Sequence, residues 1–237
     1  MNIETNEKLI RRNARIAQIS MISGLVVLVG GMVLSFRSAE QFGLSLAALI
    51  LGFILSQIGI YYGNRWGKRP RPDELLNQAL KGLDGKYTLY HYLTPVSHLL
   101  IGPAGIWILL PKSQRGTITY GKGRWRQRGG GLMMNYLKIF AQEGLGRPEL
   151  EIQAEASSLE KFLKGRLEDE NIPPINTALV FTNEKVDLQI SDEENPPATT
   201  LALSKLKDHI RKFAKGKPIS LDKAQQIQTA ILGESTE

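Results

Sequence analysis

The chain has no cysteine and only three histidines, and each scarcity removes a class of chemistry. Without cysteine there is no thiol catalyst, and the absence fits a reducing compartment while deciding little by itself. His91, His98 and His209 show no metal-like spacing. A phosphate-binding glycine loop is missing too, because Gly129-Gly-Gly131 is not followed by Lys-Ser or Lys-Thr. There is no nucleophile elbow and no internal repeat. The three glycines read as a flexible joint leading toward Arg147.

Charge is lacking in two long runs. Ile16 to Phe36 and Gln41 to Asn64 contain no Lys, Arg, Asp or Glu, and each run is long enough to cross a bilayer core. The four residues between them, Arg37 to Glu40, allow only a tight reversal, so the sequence predicts an antiparallel transmembrane hairpin over residues 16–64. Buried helices of a soluble core would have to be apolar on every face, and a signal peptide would not be followed at once by a second span. Arg11, Arg12 and Arg15 precede the first span, and Arg65, Lys68, Arg69 and Arg71 follow the second. By the positive-inside rule both termini and the remaining domain are expected on the cytoplasmic side of the cell membrane. Residues 1–15 then form a cytoplasmic N-terminal segment and 65–72 a basic linker. Ala48, Gly52 and Ser56 recur every four residues, a stripe suited to packing within the hairpin or to dimerisation.

Residues 73–237 read as one α/β domain. A helix starts after Pro72, with Asp73 and Glu74 in its first turn and Leu75, Leu76, Ala79, Leu80 and Leu83 as its stripe. Strands are expected at Tyr87–Leu93, Ser97–Ile101 and Ile106–Leu110, the last two joined by the turn Gly102-Pro-Ala-Gly105. A hairpin follows at Thr117–Tyr120 and Arg124–Gln127. The stripe Ile152, Ala156, Leu159, Leu163 and Leu167 predicts a second helix, and Pro173-Pro174 stops it. Ile175–Phe181 reads as a buried strand, Ser191–Pro197 as a solvated acidic loop, and Ser204–Phe213 and Leu221–Leu232 as closing helices.

Residues 63–142 carry thirteen Lys or Arg against three Asp or Glu, whereas residues 143–237 carry twelve against seventeen. The densest basic piece holds Lys112, Arg115, Lys122, Arg124, Arg126 and Arg128, with Trp125 among them. Cations around an aromatic ring suit a polyanion, the cations neutralising phosphates and the ring offering a stacking face. DNA or RNA, anionic lipid headgroups, and a plain solvated hairpin with Trp125 over the core all satisfy the pattern.

The stretch Ser97-His98-Leu-Leu-Ile-Gly102-Pro-Ala-Gly105-Ile-Trp-Ile-Leu-Leu110-Pro-Lys112, with Gly116-Thr-Ile-Thr and Trp125 after it, resembles the nuclease-related domain (NERD) family. That family is a branch of the PD-(D/E)xK nuclease-like fold. The resemblance covers roughly residues 70–185 and implies an αβββαβ restriction-endonuclease-like core. Glu74 on the first helix and Gln153 on the later one stand where the family places such elements. His98, Gly105 and Lys112 match its motif.

Two metal-binding carboxylates of the pattern are replaced, one by Ser97 and one by Leu110. Hydrolysis in this fold needs a divalent cation, and neither serine nor leucine supplies the hard carboxylate oxygen that magnesium requires. Lys112 could stabilise developing charge but cannot recruit a metal. Lys112 and Glu74 thus stand as vestigial catalytic candidates. No cofactor is expected unless acids elsewhere, such as Asp73 or Glu143, rebuild a magnesium or manganese site. His98 reads as a hydrogen-bonded structural residue with no Asp, Cys or second His nearby in sequence, and Trp107 reads as core. The expectations are a degenerate, membrane-anchored polyanion-binding module, an active nuclease with migrated acids, or a scaffold that forms a homo-oligomer or binds a membrane-protein partner.

Overall fold

A computed structural model describes residues 1–37, 42–129, 144–168, 172–191, 195–216 and 218–233. They fall into two units, Glu7–Arg71 on one side and Met1–Asn6 with the described residues from Pro72 onward on the other.

The first unit is the helical hairpin, α1 (Glu7–Arg37) and α2 (Phe42–Tyr62), closed by a π-helical turn at Gly63–Gly67. Both helices are long and apolar enough to cross a membrane. The 31 residues of α1 give about 46 Å of helix at ~1.5 Å each, well beyond a hydrocarbon core of about 30 Å. The helix thus starts nine residues before the first uncharged run and includes Arg11, Arg12 and Arg15. Ile22, Leu25, Val26, Leu51, Phe53 and Ile54 are exposed on the outer faces, an apolar surface suited to lipid.

Small residues form the seam between the helices. Apart from Asn13, the buried positions of α1 are Ile10, Ala17, Gly24 and Gly31, spaced by seven. Ser45, Gly52, Gly59 and Trp66 repeat the same interval on the returning strand of the hairpin. A seven-residue repeat keeps one seam in contact only if the helices wind left-handedly around each other. Contact is close: a Cβ added to Gly24 would stand 2.8 Å from Ser56 Oγ, and one on Gly52 would stand 3.0 Å from the Gly24 carbonyl oxygen. Ser45 Oγ donates to the Gly31 carbonyl at 2.8 Å, satisfying a buried hydroxyl across the seam. The stripe Ala48-Gly52-Ser56 therefore serves packing within the hairpin.

The second unit is a mixed α/β domain. Its main sheet has six strands in the order β1-β2-β3-β4-β7-β9. These are β1 (Asn2–Thr5), β2 (Thr88–His91), β3 (His98–Gly102), β4 (Gly105–Lys112), β7 (Ile175–Phe181) and β9 (Thr199–Ala202). β2, β3 and β4 form an antiparallel meander, and β7 runs parallel to β4. A smaller sheet, β6-β5-β8, contains β5 (Gly116–Gly121), β6 (Arg124–Arg128) and β8 (Val186–Gln189). The helices are α3 (Pro72–Leu80), α4 (Pro148–Lys164), α5 (Leu203–Gly216) and α6 (Leu221–Leu232).

β1 comes from the chain's start and pairs in parallel with β2, with Ile3 opposite Leu89. Residues 2–5, expected to belong to a separate N-terminal segment, are instead an edge strand of the domain sheet. Both ends of the hairpin thus continue into one folded unit.

Strand alternation divides the core in two. Leu99, Ile101, Ile106, Ile108, Leu110, Leu179 and Phe181 pack with α4, α6 and the inner side of the small sheet. Leu89, Leu100, Trp107, Leu109, Ala178 and Val180 pack with α3 and α5. Trp107 donates its indole N–H to the Ala104 carbonyl at 2.9 Å and meets Phe213 and His209 edge-on, so it is core as expected.

Burial, and after it the positive charge of Lys212, hold His209 below its ordinary pKa of 6.5. The unfolded chain therefore protonates at a higher pH than the folded one, and this residue subtracts stability as pH falls through about 6.5. We expect the urea midpoint to drop between pH 7.5 and 5.5, and His209→Leu to reduce that drop. An equal drop in the variant would assign the dependence to other groups.

Candidate functional site

The motif glycines have separate physical causes. Gly105 has φ +88°, a conformation that L side chains rarely adopt, and a Cβ on Gly102 would run into the Tyr87 ring. Together they close the β3–β4 hairpin and bring His98 to the start of β3 and Lys112 to the end of β4.

His98 is not isolated. The β2–β3 register sets His91 directly opposite it, and both rings are buried. Their Nδ1 atoms lie 2.8 Å apart, and His91 Nε2 lies 3.0 Å from Asn77 Oδ1. The network assigns the tautomers: His91 donates from Nε2 to the amide oxygen, and its Nδ1 then accepts from His98 Nδ1–H. His98 is thus hydrogen-bonded, and a histidine seven residues away in the sequence reaches it across the hairpin. The relay lies on the α3 side of the sheet, one turn of α3 beyond Glu74.

Leu110 and Lys112 face the other way. Leu110 is 2% exposed among β3, β7 and α4, and Lys112 makes an ion pair with Glu151 in the first turn of α4. The β3–β4 register, continued two residues past Leu99 and Ile108, sets Ser97 opposite Leu110. That register would make positions 97 and 110 cross-strand neighbours just beyond the paired residues of β3 and β4. The sheet separates them from α3, which carries Glu74 and the buried Asp73. Among the described residues no group of three or more His, Cys, Asp or Glu could hold a metal ion, and Glu143 lies outside those residues. Tyr90, on the Leu110 side, has its hydroxyl pushed up to about 12 by burial and then by Glu4. It stays protonated at neutral pH and offers no base.

Restoring the motif carboxylate has a predictable effect. Leu110→Glu places an ionisable group in a packed apolar site and should cost about 3–5 kcal/mol, read from the urea midpoint of the full chain. An unchanged midpoint would show that the site opens to water.

The basic stretch divides by face. Arg124, Arg126 and Arg128 are exposed in one row on β6, spaced about 6.8 Å apart by the strand rise. Thr117 and Thr119 stand beside Arg128 and Arg126 on β5, with Asp187 and Gln189 beyond them on β8. Arg115 and Lys122 are exposed at the ends of β5. Trp125 faces inward: it is 5% exposed, packs against Tyr120 with ring centroids 4.5 Å apart, and donates to Thr200 Oγ1 at 3.3 Å. The expected stacking face is therefore spent on the core. Lys112 is likewise separate from the row, since it belongs to the main sheet and pairs with Glu151.

Comparison with family models, with curated proteins and with solved structures gives no match to this chain.

Proposed function

We propose that the chain is a membrane-anchored polyanion-binding module with a degenerate nuclease-like core, and that nucleic acid is the polyanion it takes. The observation that carries the reading is the row Arg124, Arg126 and Arg128 on the exposed face of β6, extended by Arg115 and Lys122. Guanidinium groups at regular spacing neutralise successive phosphates and release their counterions. With Trp125 buried, the interaction is with backbone phosphates, so it is sequence-independent and steeply salt-dependent. The element order α3-β2-β3-β4 and then α4-β7, with β7 parallel to β4, supports the restriction-endonuclease-like reading. Ser97 and Leu110 support the absence of metal-dependent hydrolysis. Cations flanking the apolar helices support a cytoplasmic position for the domain.

The test uses the full chain with labelled single- and double-stranded DNA and RNA, magnesium or manganese, and Lys112→Ala as control. Binding without cleavage is expected. Metal-dependent cleavage abolished by Lys112→Ala would overturn the degenerate reading and place the acids elsewhere, with Glu74, Asp73 or Glu143 as suppliers.

A second reading of the same row has its own observation. β6 is an edge strand of the small sheet, and charged side chains on an edge discourage pairing with another chain.

A further inference from the structure

We infer that the outward face of α5 is a docking surface for an anionic bilayer, distinct from the arginine row on β6. Lys205, Lys207, Arg211, Lys212 and Lys215 stand on this helix of 14 residues against a single acid, Asp208. Leu206 and Ile210 pack into the core with Leu89, Leu100 and Val180, so the cations share the solvent side of the helix. The row on β6 belongs to the sheet that packs with α4 and α6, on the other side of the main sheet.

A face kept only for solubility mixes the two signs, as α4 does with Glu149, Glu151, Glu155 and Glu160 against Lys161 and Lys164. On α5, Lys207 and Arg211 are four residues apart, and so are Arg211 and Lys215, a spacing at which like charges repel along a helix. Helix stability does not ask for this pattern. Two of the five cations are engaged: Lys207 Nζ donates to the Lys81 carbonyl at 3.2 Å and Arg211 Nη2 to the Gly82 carbonyl at 2.7 Å. They clamp α5 to the end of α3. Lys205, Lys212 and Lys215 are exposed, and among the described residues their ammonium groups make no hydrogen bond or ion pair, Asp208 included. These three are the docking cations.

Two observations favour a bilayer over nucleic acid as the occupant. All three are lysines, compact and strongly hydrated charges without the guanidinium fork that grips a phosphate in fixed geometry. Such charges suit a diffuse layer of anionic headgroups, which attracts basic segments within a Debye length. The second observation is position. α3, to which α5 is clamped, begins at Pro72, the residue directly after the helical-hairpin unit. Its 9 residues span about 14 Å, so the chain leaves the hairpin one short helix before Lys81. The inference rests on the membrane-anchored reading of α1 and α2, and not on nucleic-acid binding.

The chain lacks cysteine, so single labels carry no background. Ser204→Cys puts a fluorophore on the exposed side of α5, and Ser158→Cys puts one on the exposed side of α4. The full chain is reconstituted into phosphatidylcholine vesicles with or without phosphatidylglycerol, and resistance to alkaline extraction checks insertion. Extraction by alkali would overturn the anchored reading itself, and the proposal with it. Quenching by a lipid with a headgroup nitroxide then reads how near each label lies to the membrane surface. Phosphatidylglycerol should raise quenching at least fourfold at position 204 and less than twofold at position 158. Salt at about 1 M, where screening acts within ~3 Å, should abolish the rise. Lys205→Gln with Lys212→Gln and Lys215→Gln should abolish it too, whereas Arg124→Gln with Arg126→Gln and Arg128→Gln should change it less than twofold. The proposal is overturned by no rise at position 204, by an equal rise at position 158, or by equal losses from the two triple variants. It is also overturned if the lysine triple loses as much duplex affinity as the arginine triple, which would assign the lysines to nucleic acid. Unaltered circular dichroism confirms that each variant is folded.

Discussion

Replacing Arg124, Arg126 and Arg128 together by alanine is expected to lower duplex affinity about a hundredfold at low salt and to flatten its salt dependence by about three charges. The three side chains are exposed on one face of β6 and make that face cationic. Their backbone partners on β5 stay in register, and the inward residues Trp125 and Ile118 keep their packing. Stability should therefore move by no more than about 0.5 kcal/mol per site. Lys112→Ala is the internal control: its ammonium is held by Glu151, so duplex affinity should hold within about twofold. Fluorescence anisotropy with the full chain, from 50 to 300 mM salt, reads both quantities. If the triple variant keeps its affinity but self-associates, the arginines guard a sheet edge and the polyanion reading fails. The full chain matters here, because a fragment beginning near residue 66 would lack β1, which pairs along the whole of β2.

The second large effect concerns the hairpin seam. Gly52→Leu should separate α1 from α2, because its Cβ alone would press on Leu28 and stand 3.0 Å from the Gly24 carbonyl. Backbone against backbone leaves no flexible side chain to move aside on that side of the contact. A cysteine-free chain makes the measurement clean. A Cβ on Gly59 would lie 3.1 Å from that of Met21, a few tenths of an ångström short of the range of about 3.5–4.5 Å that a disulfide spans. Met21→Cys with Gly59→Cys should cross-link under mild oxidation in membranes once the seam there gives by those few tenths of an ångström, and adding Gly52→Leu should cut the yield at least tenfold relative to that pair alone. Gly30→Leu is the matched control, since a Cβ there meets nothing within 4 Å. Equal yields with Gly52→Leu and Gly30→Leu would show that the small residues are not what holds the helices together.

Much of the fold was legible along the chain. Two uncharged runs marked α1 and α2, because charge is costly in hydrocarbon wherever it sits. Ile175–Phe181 and Leu221–Leu232 were expected and found with the same bounds, the first a continuous apolar run and the second opened by Ser220, whose side chain caps Lys223 N. The short strands β1, β8 and β9 escaped, each being four residues at or near an edge with few buried side chains. Their pairing comes from partners 21 to 86 residues away, such as Asn2 with Thr88, Thr117 with Asp187 or Ala178 with Thr199.

The candidate site shows the same division. The sequence by itself determined which residue types were present: the arginines of the basic stretch, serine at position 97 and leucine at position 110, and small residues within two apolar helices. Which way each side chain faces was decided by tertiary structure. Trp125 lies between two arginines in sequence, yet strand alternation turns it into the core and them out of it. His91 and His98 touch because a hairpin register opposes them, and Lys112 meets Glu151 because α4 packs over the end of β4. The seam of Gly24 and Gly52 likewise exists only once two helices choose facing sides. Local composition sets what a segment can bury or expose, but the identity of a neighbour depends on chain crossings that no local pattern records.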